Sequence, residues 1–552
     1  MKNKTWLKHV VASIVTILLG AGYFYVQLPA INVRSVELWK MIFFLAVVYA
    51  VMYFISEILS LIRAQQTQTN SKRYKSTQVT TSTTAMKITF ACIGGVALLL
   101  VLICFFSSAR IFNASKYQQM LTVTEGDFQK DIAELPLSQI PVVDKDTAQR
   151  LASRKIGEVV ELVSQFNLST HNSQINYRGK PYRVLPLEYA DIIKWFTNED
   201  IPYYVMVDMA TQTTDLVELP NGMRYSPSEY FDRDLMRHLR FNFPTKMFDN
   251  VTFEINDNGH PYWIASYYTY TIGIVGGKDI AGIILCDAVT GELTDYTFNE
   301  IPQWIDTVFD DVMVVEQADN WGRYKNGFFN SIFEQKGVVV TTEGYNYIAV
   351  NDDVWLYTGI TSVVADESNI GFILINMRTK EAKTYSINGA EEYSAMSSAE
   401  GAVQEKGYTS TFPILVNVEN VPTYFISLKD NAGLVKMYAF VSVSNYQIVG
   451  ISDTLSGAMD DYKRLLVANG ITKPSIHLPT DGDEYTITLE AVSSAVKDGN
   501  TIYYFKSGNM IFTANISVSS LLPFLKEGDT ITVIAADNND SGIFVISLIR
   551  PN

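Results

Sequence analysis

The acidic clusters of this sequence have residue types and spacing that could hold a metal ion. Asp352 and Asp353 form one cluster, and Asp537 and Asp540 flank two asparagines in another. Carboxylate and amide oxygens gathered in a loop are the ligands that Ca²⁺ prefers. Neither cluster has the spacing of an EF-hand, so solvated turns explain them as well. Weak calcium binding is the one cofactor hypothesis that the sequence offers.

Catalytic motifs are not evident among the histidines, cysteines or glycines. The histidines lie far apart, and no HExxH or paired-cysteine pattern is present. His238 follows Asp234 by one helical turn, which is the spacing of an acid/base pair and equally of an ordinary structural pairing. In the glycine-rich run from Ile272, Lys278 precedes Asp279 instead of Ser or Thr, which favours a hairpin turn over a phosphate loop. No catalytic residue is predicted, and binding is favoured over catalysis.

Four segments share one layout: an apolar strand, a polar turn and a returning strand. They are Tyr204–Glu218, Ile283–Tyr296, Phe372–Tyr385 and Tyr438–Ile451. In the second, Asp287 ends the strand, Thr290 and Gly291 form the turn, and Glu292 begins the return. Aspartate and threonine oxygens bond the free N–H groups of such turns, and glycine supplies positive φ. The equivalent turn residues elsewhere are Asp208, Asn376 and Thr379. With aromatic strands upstream and helices between copies, the pattern predicts a repeated αβββ unit.

A helix, an aromatic strand and a hairpin turning at Asp-x-x-Thr-Gly-Glu resemble PepSY-type domains. The match is best at Asp287–Glu292, whereas Gln212 and Lys380 replace the glycine in two copies and the fourth copy has no aspartate. The run Asp366–Tyr408 is also similar to a group of three-span membrane proteins of Gram-positive bacteria without an assigned function. PepSY-type domains occur outside the cytoplasm and restrain proteases. The resemblance therefore implies interaction rather than catalysis.

Three apolar stretches near the N-terminus predict a membrane anchor for these repeats. They cover about residues 9–33, 41–62 and 88–109, and each meets the roughly 20 apolar residues that a bilayer core requires. The first is too long for a cleaved signal peptide. Glu57 is the one acid within these stretches, and it lies close enough to Arg63 to sit near an interface.

Basic residues set the orientation of the anchor. Residues 63–87 carry five Lys or Arg and no acid, and their Thr, Ser and Gln content predicts a flexible loop. By the positive-inside rule, this loop and the lysine-containing N-terminal tail stay in the cytoplasm. Three crossings then place residues 111–552 outside the cytoplasm. The predicted localisation is the cell membrane, multi-pass, with an extracytoplasmic C-terminal domain.

The charge is divided unevenly along the chain. Residues 1–110 carry 11 Lys+Arg and 2 Asp+Glu, a net of +9, so a total of −15 leaves −24 on residues 111–552. Phosphates of nucleic acids and anionic headgroups repel so acidic a domain. Nucleic acid is thus excluded as a partner, a protein partner in the envelope fits better, and a homo-oligomer remains open.

The C-terminal segment from Glu484 alternates apolar and polar residues, with turn signals at Gly508 and Gly528. This pattern is typical of a small β-barrel of OB type. The predicted fold class is α+β. Its domains are a three-helix transmembrane anchor (1–110), a first αβ region with two PepSY-like units (111–300), a second with two more (301–470) and the OB-like barrel (471–552).

Two classes of function remain. The first is a membrane-anchored extracytoplasmic binding or regulatory module that acts on an envelope protein or assembly. The alternatives are an envelope hydrolase with an unrecognised active site and an accessory subunit of a transport or secretion complex. A deep cleft gathering His238 or His260 with acids would favour an enzyme, and shallow aromatic faces or exposed sheet edges a binding protein.

The orientation predicts how single cysteines react with a membrane-impermeant maleimide. Ser541→Cys should be labelled in intact cells and Thr81→Cys only after permeabilisation, because the first lies outside and the second in the cytoplasm. The unsubstituted chain measures the background from its own cysteines. Labelling of Ser541→Cys only after permeabilisation would contradict the orientation.

Overall fold

The computed structural model describes residues 2–67, 72–350, 352–363, 365–472, 483–497, 500–519, 521–537 and 543–551. The calcium candidate Asp540 lies outside these ranges. The chain forms two compact units, Met1–Leu466 and Val467–Asn552. It is a mixed α+β protein with three apolar helices at the N-terminus and a β-rich C-terminal region, as the sequence predicts.

Three helices are long and apolar enough to cross a membrane, which confirms the three predicted apolar helices. They are α1 (Lys2–Gln27), α2 (Val36–Thr67) and α3 (Lys72–Ser108). The first ends before residue 33 because Leu28 precedes a proline, and residues in that position avoid helical φ and ψ. The prediction of a flexible loop between the second and third helices is wrong. No proline or glycine interrupts residues 63–87, and α2 and α3 leave only residues 68–71 between them.

An ion pair joins α1 to α2. Lys8 Nζ lies 2.5 Å from Glu57 Oε2, and His9 Nδ1 lies 2.7 Å from the Tyr49 hydroxyl one residue along. An isolated carboxylate is costly inside a membrane, whereas a paired one is tolerated. Glu57 therefore helps to hold two helices together.

A short connection leads from the third helix into two repeats, each a helix followed by an antiparallel sheet. The connection comprises α4 (Arg110–Gln118), β1 (Val123–Glu125) and α5 (Phe128–Asp131). Repeat one comprises α6 (Lys145–Gly157), α7 (Val160–Val163), β2 (Phe166–Leu168), β3 (Ser173–Tyr177), β4 (Lys180–Tyr189), α8 (Ile192–Thr197), β5 (Ile201–Asp208) and β6 (Thr214–Met223). Repeat two comprises α9 (Leu235–Asn242), β7 (Met247–Ile255), β8 (Pro261–Ile272), β9 (Gly276–Asp287) and β10 (Leu293–Thr297). The strand orders are β2-β4-β5-β6, with β3 also on β4, and β10-β9-β8-β7.

Two further repeats follow the same plan. Repeat three comprises α10 (Asp311–Arg323), α11 (Gly327–Ile332), β11 (Val339–Thr341), β12 (Asn346–Val350), β13 (Asp353–Ser362), β14 (Ala365–Asn376), β15 (Ala382–Tyr385) and β16 (Gly389–Ala390). Repeat four comprises α12 (Glu392–Ala402), β17 (Thr409–Ser410), β18 (Ile414–Val418), β19 (Val421–Lys429), β20 (Val435–Ser442) and β21 (Val449–Ser452), after which α13 (Leu455–Ala468) closes the series. β1 joins the third sheet by pairing parallel to β15.

Each repeat ends in the hairpin that its sequence predicts. These hairpins are β5–β6, β9–β10, β14–β15 and β20–β21. In the first, Asp208 Oδ1 accepts the backbone N–H groups of Ala210 and Thr211, both at 2.9 Å. Asp287 and Asn376 accept the equivalent pairs in the next two repeats at 2.8 to 3.0 Å. One carboxylate or amide oxygen therefore closes each of these turns.

The position four residues after the Asp or Asn has positive φ in all three turns. The values are 64° at Gln212, 77° at Gly291 and 60° at Lys380. Thr290 and Thr379 support the return strand, because each hydroxyl accepts the N–H two residues on, from Glu292 and Glu381, at 3.3 Å. The fourth turn uses Ser442 Oγ, which accepts from Asn445 N at 3.3 Å. The first and third turns thus keep the positive φ without a glycine, whereas the fourth turn is one residue longer and keeps only the side-chain oxygen that accepts a backbone N–H.

The peptide carbonyl just after each of these turn-closing residues joins the hairpin to the helix of its own repeat. We call the carbonyls of Met209, Ala288, Met377 and Val443 the turn carbonyls. Met209 O accepts from Val142 N and Val143 N at 2.7 and 3.2 Å, immediately before α6. The other three accept from Arg224 and Tyr225, from Val308 and Phe309, and from Ala390. Each repeat is therefore tied together at one peptide.

Buried side chains of all four repeats form one connected apolar core. Trp263, Tyr204, Tyr357 and Tyr424 are among its largest fully buried members. Cys286 on β9 belongs to the same core, and burial raises the pKa of its thiol to about 12. The tyrosine-rich strands therefore supply packing, and Cys286 is an unreactive core residue.

Repeat two rests on the ends of the membrane helices. Ile31 N donates to Pro244 O at 2.7 Å, and Arg240 Nε donates to Leu28 O at 2.8 Å. The glycine-rich run forms the β8–β9 hairpin, as predicted, and Gly273 lies so near the end of α3 that a Cβ would overlap the Ser107 carbonyl. The first unit therefore has no free linker between anchor and repeats within the described residues.

The second unit is a six-stranded sheet. Its strands are β22 (Asp483–Thr488), β23 (Ala491–Lys497), β24 (Asn500–Ser507), β25 (Met510–Asn515), β26 (Thr530–Asp537) and β27 (Ile543–Pro551). They pair in the order β22-β26-β27-β25-β24-β23, and only β25 and β27 are parallel. Among the described strands this path is open, so the closed barrel predicted from the sequence is not found.

The turn geometry predicts that Asp208→Ala destabilises the protein whereas Asp208→Asn does not. Alanine removes the acceptor of two backbone N–H groups, which costs about 1 to 3 kcal/mol of unfolding free energy. Asparagine keeps that acceptor, as Asn376 does in repeat three. Denaturant unfolding of the detergent-solubilised chain measures both. Equal loss in the two variants would contradict the role given to this oxygen.

Candidate functional site

A cavity of about 540 Å³ lies among the repeats of the first unit. Repeat one lines it with the start of α6, the β2–β3 loop, β3 and β4, and repeat two with β7. Repeat three contributes residues 307–311 and β12, and repeat four contributes Phe412. All four repeats must therefore fold for the cavity to exist.

A buried arginine on β4 lines this cavity without a carboxylate partner. Arg183 is 5% exposed, and no carboxylate of the described residues lies within 4.0 Å of its nitrogens. Its Nη1 donates to Asn172 Oδ1 at 2.9 Å and its Nη2 to Gln174 Oε1 at 3.4 Å, while Nε has no partner. Burial lowers the pKa of Arg183 to about 10, so the side chain still carries its charge at neutral pH. A buried cation held only by neutral amides is unusual, because desolvation is normally offset by a counter-ion.

Other polar atoms of the cavity wall are buried and unpartnered among the described residues. They are Ser173 Oγ, Gln174 Nε2, Thr252 Oγ1 and Asp249 Oδ2. Three of the four can donate hydrogen bonds, and Gln174 is the cross-strand neighbour of Arg183. The residues beside Arg183 that line the cavity therefore carry hydrogen-bond donors that no acceptor of the described residues satisfies.

The segment that enters α10 supplies an acidic wall. Asp310 caps α10 by accepting from Met313 N at 3.3 Å, and burial, with Asp311 and Asp249 nearby, raises its pKa. Asp311 Oδ2 accepts from the Tyr347 hydroxyl at 3.1 Å and from Tyr345. Carboxylates collected in this way favour a cationic or hydroxyl-bearing group.

The predicted turn residues do not line the cavity themselves, but in two repeats the residue that follows one of them does. Met209 and Met377, which carry the turn carbonyls after Asp208 and Asn376, both line the cavity. The turn of repeat two, with Asp287, Thr290, Gly291 and Glu292, does not. There His260 Nε2 lies 2.9 Å from Asp287 Oδ2, and His238 Nε2 lies 2.8 Å from Gly291 O. His238 and His260 therefore form hydrogen bonds with residues of that turn, and neither of them lines the cavity.

The proposed His238–Asp234 acid/base pair is not formed. Asp234 Oδ1 caps α9 by accepting from Arg237 N at 2.8 Å, and the His238 ring turns to Gly291 instead. His171 does line the cavity, and burial lowers its pKa. Its ring contacts Ser169 Oγ at 3.2 Å, yet Ser169 does not line the cavity and cannot meet a substrate there.

Asp352 and Asp353, the calcium candidates of the first unit, are not among the residues that line the cavity. Asp353 binds the Arg378 guanidinium at 2.7 and 2.9 Å and accepts from Asn376 Nδ2 at 2.9 Å, so its oxygens are occupied by the third turn. Asp352 has positive φ at the β12–β13 turn. Asp537 ends β26, and Asp540 falls outside the described part of the chain. Within that part, no group of three or more His, Cys, Asp or Glu could hold a metal ion.

Sequence reasoning missed Arg183, Gln174, Asp310 and Asp311. One signal was present, because Arg183 is a cation between aromatic and aliphatic residues in the middle of a strand. A charged residue at a core position is rare unless it is paired or functional. Asp310 and Asp311 gave no such signal, because acidic residues are common at the N-terminus of any helix.

Two buried carboxyls, Glu254 and Asp306, hold in place the backbone that leads to the cavity wall. Glu254, on β7, accepts from Asp306 N and Thr307 N, both at 2.9 Å, and Asp306 Oδ2 accepts from Asn176 N at 2.7 Å. Burial raises the pKa of Glu254 to about 7, and burial beside Glu254 raises that of Asp306 well above its ordinary range. These bonds join repeats one, two and three.

No protein-family model and no curated protein matches this chain. Among solved structures, a crystal structure of a levansucrase mutant from B. megaterium is similar at 8% sequence identity, covering 79% of this chain and 93% of that one. Its TM-score is 0.16, which does not establish a shared fold.

The carboxyl pair predicts that stability falls as pH rises from about 5 to 8. The folded chain keeps protons that the unfolded chain releases near pH 4.5, so folding binds protons in this window and raising the pH opposes it. A carboxyl whose pKa is one unit higher in the folded chain than in the unfolded chain changes the unfolding free energy by about 1.4 kcal/mol across this window.

Asp306→Asn should flatten this dependence, because Asn keeps the acceptor for Asn176 N and removes one of the two carboxyls. Unfolding free energy of the solubilised chain is measured from pH 5 to 8. Asp146→Asn, at an exposed carboxyl, is the matched control. An unchanged slope in Asp306→Asn would contradict the assignment.

Proposed function

We propose that this chain is a membrane-anchored extracytoplasmic binding and regulatory module. In this proposal three spans hold the four repeats outside the cytoplasm, and the repeats take up a small polar ligand and act on an envelope protein or assembly. The observation that carries it is the cavity lined by buried polar atoms without partners. Leaving such an atom unpaired costs about 1 to 3 kcal/mol, which a bound polar ligand would offset.

Repeat two supports the regulatory part of this proposal. Pro244 O and Thr245 O accept hydrogen bonds from Ile31 and Asn32 in the connection between α1 and α2. A few residues along the chain, Asp249 and Thr252 on β7 line the cavity. A change at the cavity can therefore reach the membrane helices through one strand, without a flexible joint to absorb it.

Two finer assignments accompany the proposal. The repeats are PepSY-like, an assignment supported by a helix followed by an antiparallel sheet that turns at Asp-x-x-Thr. The second unit is OB-like, which is supported by its strand order: if β22 and β23 are two halves of one bent strand, the order becomes 1-2-3-5-4-1 with a parallel 3–5 pair. Both architectures commonly serve recognition, in keeping with a binding protein.

Native mass spectrometry of the full-length protein, purified gently from its own membranes, tests the binding function. A bound small molecule should appear and should be lost in Thr252→Trp, because the larger side chain takes up part of the cavity and obstructs the ligand. Thr486→Trp, at an exposed position of the second unit, is the matched control. Ser173→Val, which removes one buried hydroxyl, replaces Thr252→Trp if the larger residue prevents folding. Absence of any adduct, or an adduct kept in the cavity variants, would overturn the proposal.

A further inference from the structure

We infer that the cavity binds a small zwitterion, a molecule with a carboxylate and a protonated amino group, such as a free amino acid or a short peptide. This inference rests on the proposed binding function and names its ligand class. It requires two poles of opposite charge in one cavity, and the cavity wall supplies both.

The carboxylate pole is centred on Arg183. Its guanidinium is almost fully buried, has no carboxylate partner among the described residues and keeps Nε–H unpaired. Gln174 Nε2 and Ser173 Oγ, each on a residue at most 6% exposed, are unpaired on the adjoining strand. Arginine presents a planar fork of donors that matches the two oxygens of a carboxylate. A fixed cation with donors beside it therefore selects an anionic oxygen group.

The amino pole lies on the acidic wall. Asp310 and Asp311 line the cavity beside Asp249, whose Oδ2 is buried and unpartnered. Phe309 and Tyr345 line the same cavity, and aromatic faces attract ammonium groups. Tyr347 connects the poles, because it donates to Asp311 and interacts electrostatically with Arg183.

Ligands of a single charge fit this wall poorly. A pure anion at Arg183 would face the acids of the opposite pole, and a pure cation would leave the arginine and its neighbouring donors unpaired. Of the other charged residues that line the cavity, Asp144 pairs with Lys429 at 2.6 Å, whereas Lys145 and Asp146 are exposed at the start of α6. Asp249 binds Lys278 through Oδ1 and keeps Oδ2 unpartnered. A zwitterion satisfies both poles at once.

Isothermal titration calorimetry on the full-length protein in detergent tests this inference. The probes are the free amino acids one at a time, trialanine, acetate, inorganic phosphate and methylammonium. We expect at least one zwitterionic probe to bind at one site per chain, and the singly charged probes and phosphate to bind at least 100-fold more weakly. Binding of a free amino acid and binding of trialanine would each support the inference. Comparing the two affinities tells whether the ligand is a free amino acid or a short peptide.

The variants assign the binding to the two poles. Arg183→Gln and Asp311→Asn should each weaken binding of the zwitterion at least tenfold. Arg154→Gln, at an exposed position on α6, should leave the affinity unchanged. If Arg183→Gln does not fold, Ser173→Ala removes one donor and should weaken binding several-fold.

Three results would overturn the inference. These are binding of acetate or phosphate as tight as that of any zwitterion, binding unaffected by the pole variants, and no binding of any zwitterion. In each case a native adduct lost in Thr252→Trp would leave the binding function standing with a different ligand class. Failure to find any adduct would remove the binding function itself.

Discussion

The turn carbonyl is the constraint on which each repeat depends. The N–H of the same residue donates to the strand that precedes the hairpin, from Met209 N to Pro181 O on β4 at 3.0 Å and from Met377 N to Val354 O on β13 at 2.9 Å. Its oxygen accepts from the chain entering the helix. The segment that leads into the helix, the preceding strand and the final hairpin therefore meet at one residue, with bonds worth about 1 kcal/mol each. Because this arrangement recurs over turns closed by Asp, Asn or Ser, the geometry is repeated more faithfully than the residues.

The cavity follows from how these repeats are assembled. Met209 and Met377 carry two turn carbonyls and form part of its wall, so the element that closes a repeat also shapes the site. Around them lie Arg183, which has no carboxylate partner among the described residues, and Asp310, whose pKa is raised by burial. Such groups are costly in a core whose purpose is packing alone. Their presence at the junction of four repeats is the physical argument for the proposed binding function.

The second repeat connects this cavity to the membrane. Its strand β7 begins just after the peptides that bond the connection between α1 and α2, and its β8–β9 hairpin presses a glycine against the end of α3. The same repeat carries Glu254, whose carboxyl fixes the chain leading to Asp310. Anchor, carboxyl pair and cavity are thus joined by short, hydrogen-bonded paths.

Local chemistry in the sequence determined the three apolar helices, the four hairpins and the turn residues Asp208, Asp287 and Asn376, because hydropathy and turn hydrogen bonds act over a few residues. It could not place Asp353, whose partner Arg378 lies on the far side of a hairpin, nor give the pairing path of the described strands in the last sheet. From the sequence alone, Arg183 is interpreted only as part of an aromatic strand. Only the tertiary structure decided that it faces a polar cavity, because the walls come from residues 144 to 412 and burial depends on which strands fold over a side chain.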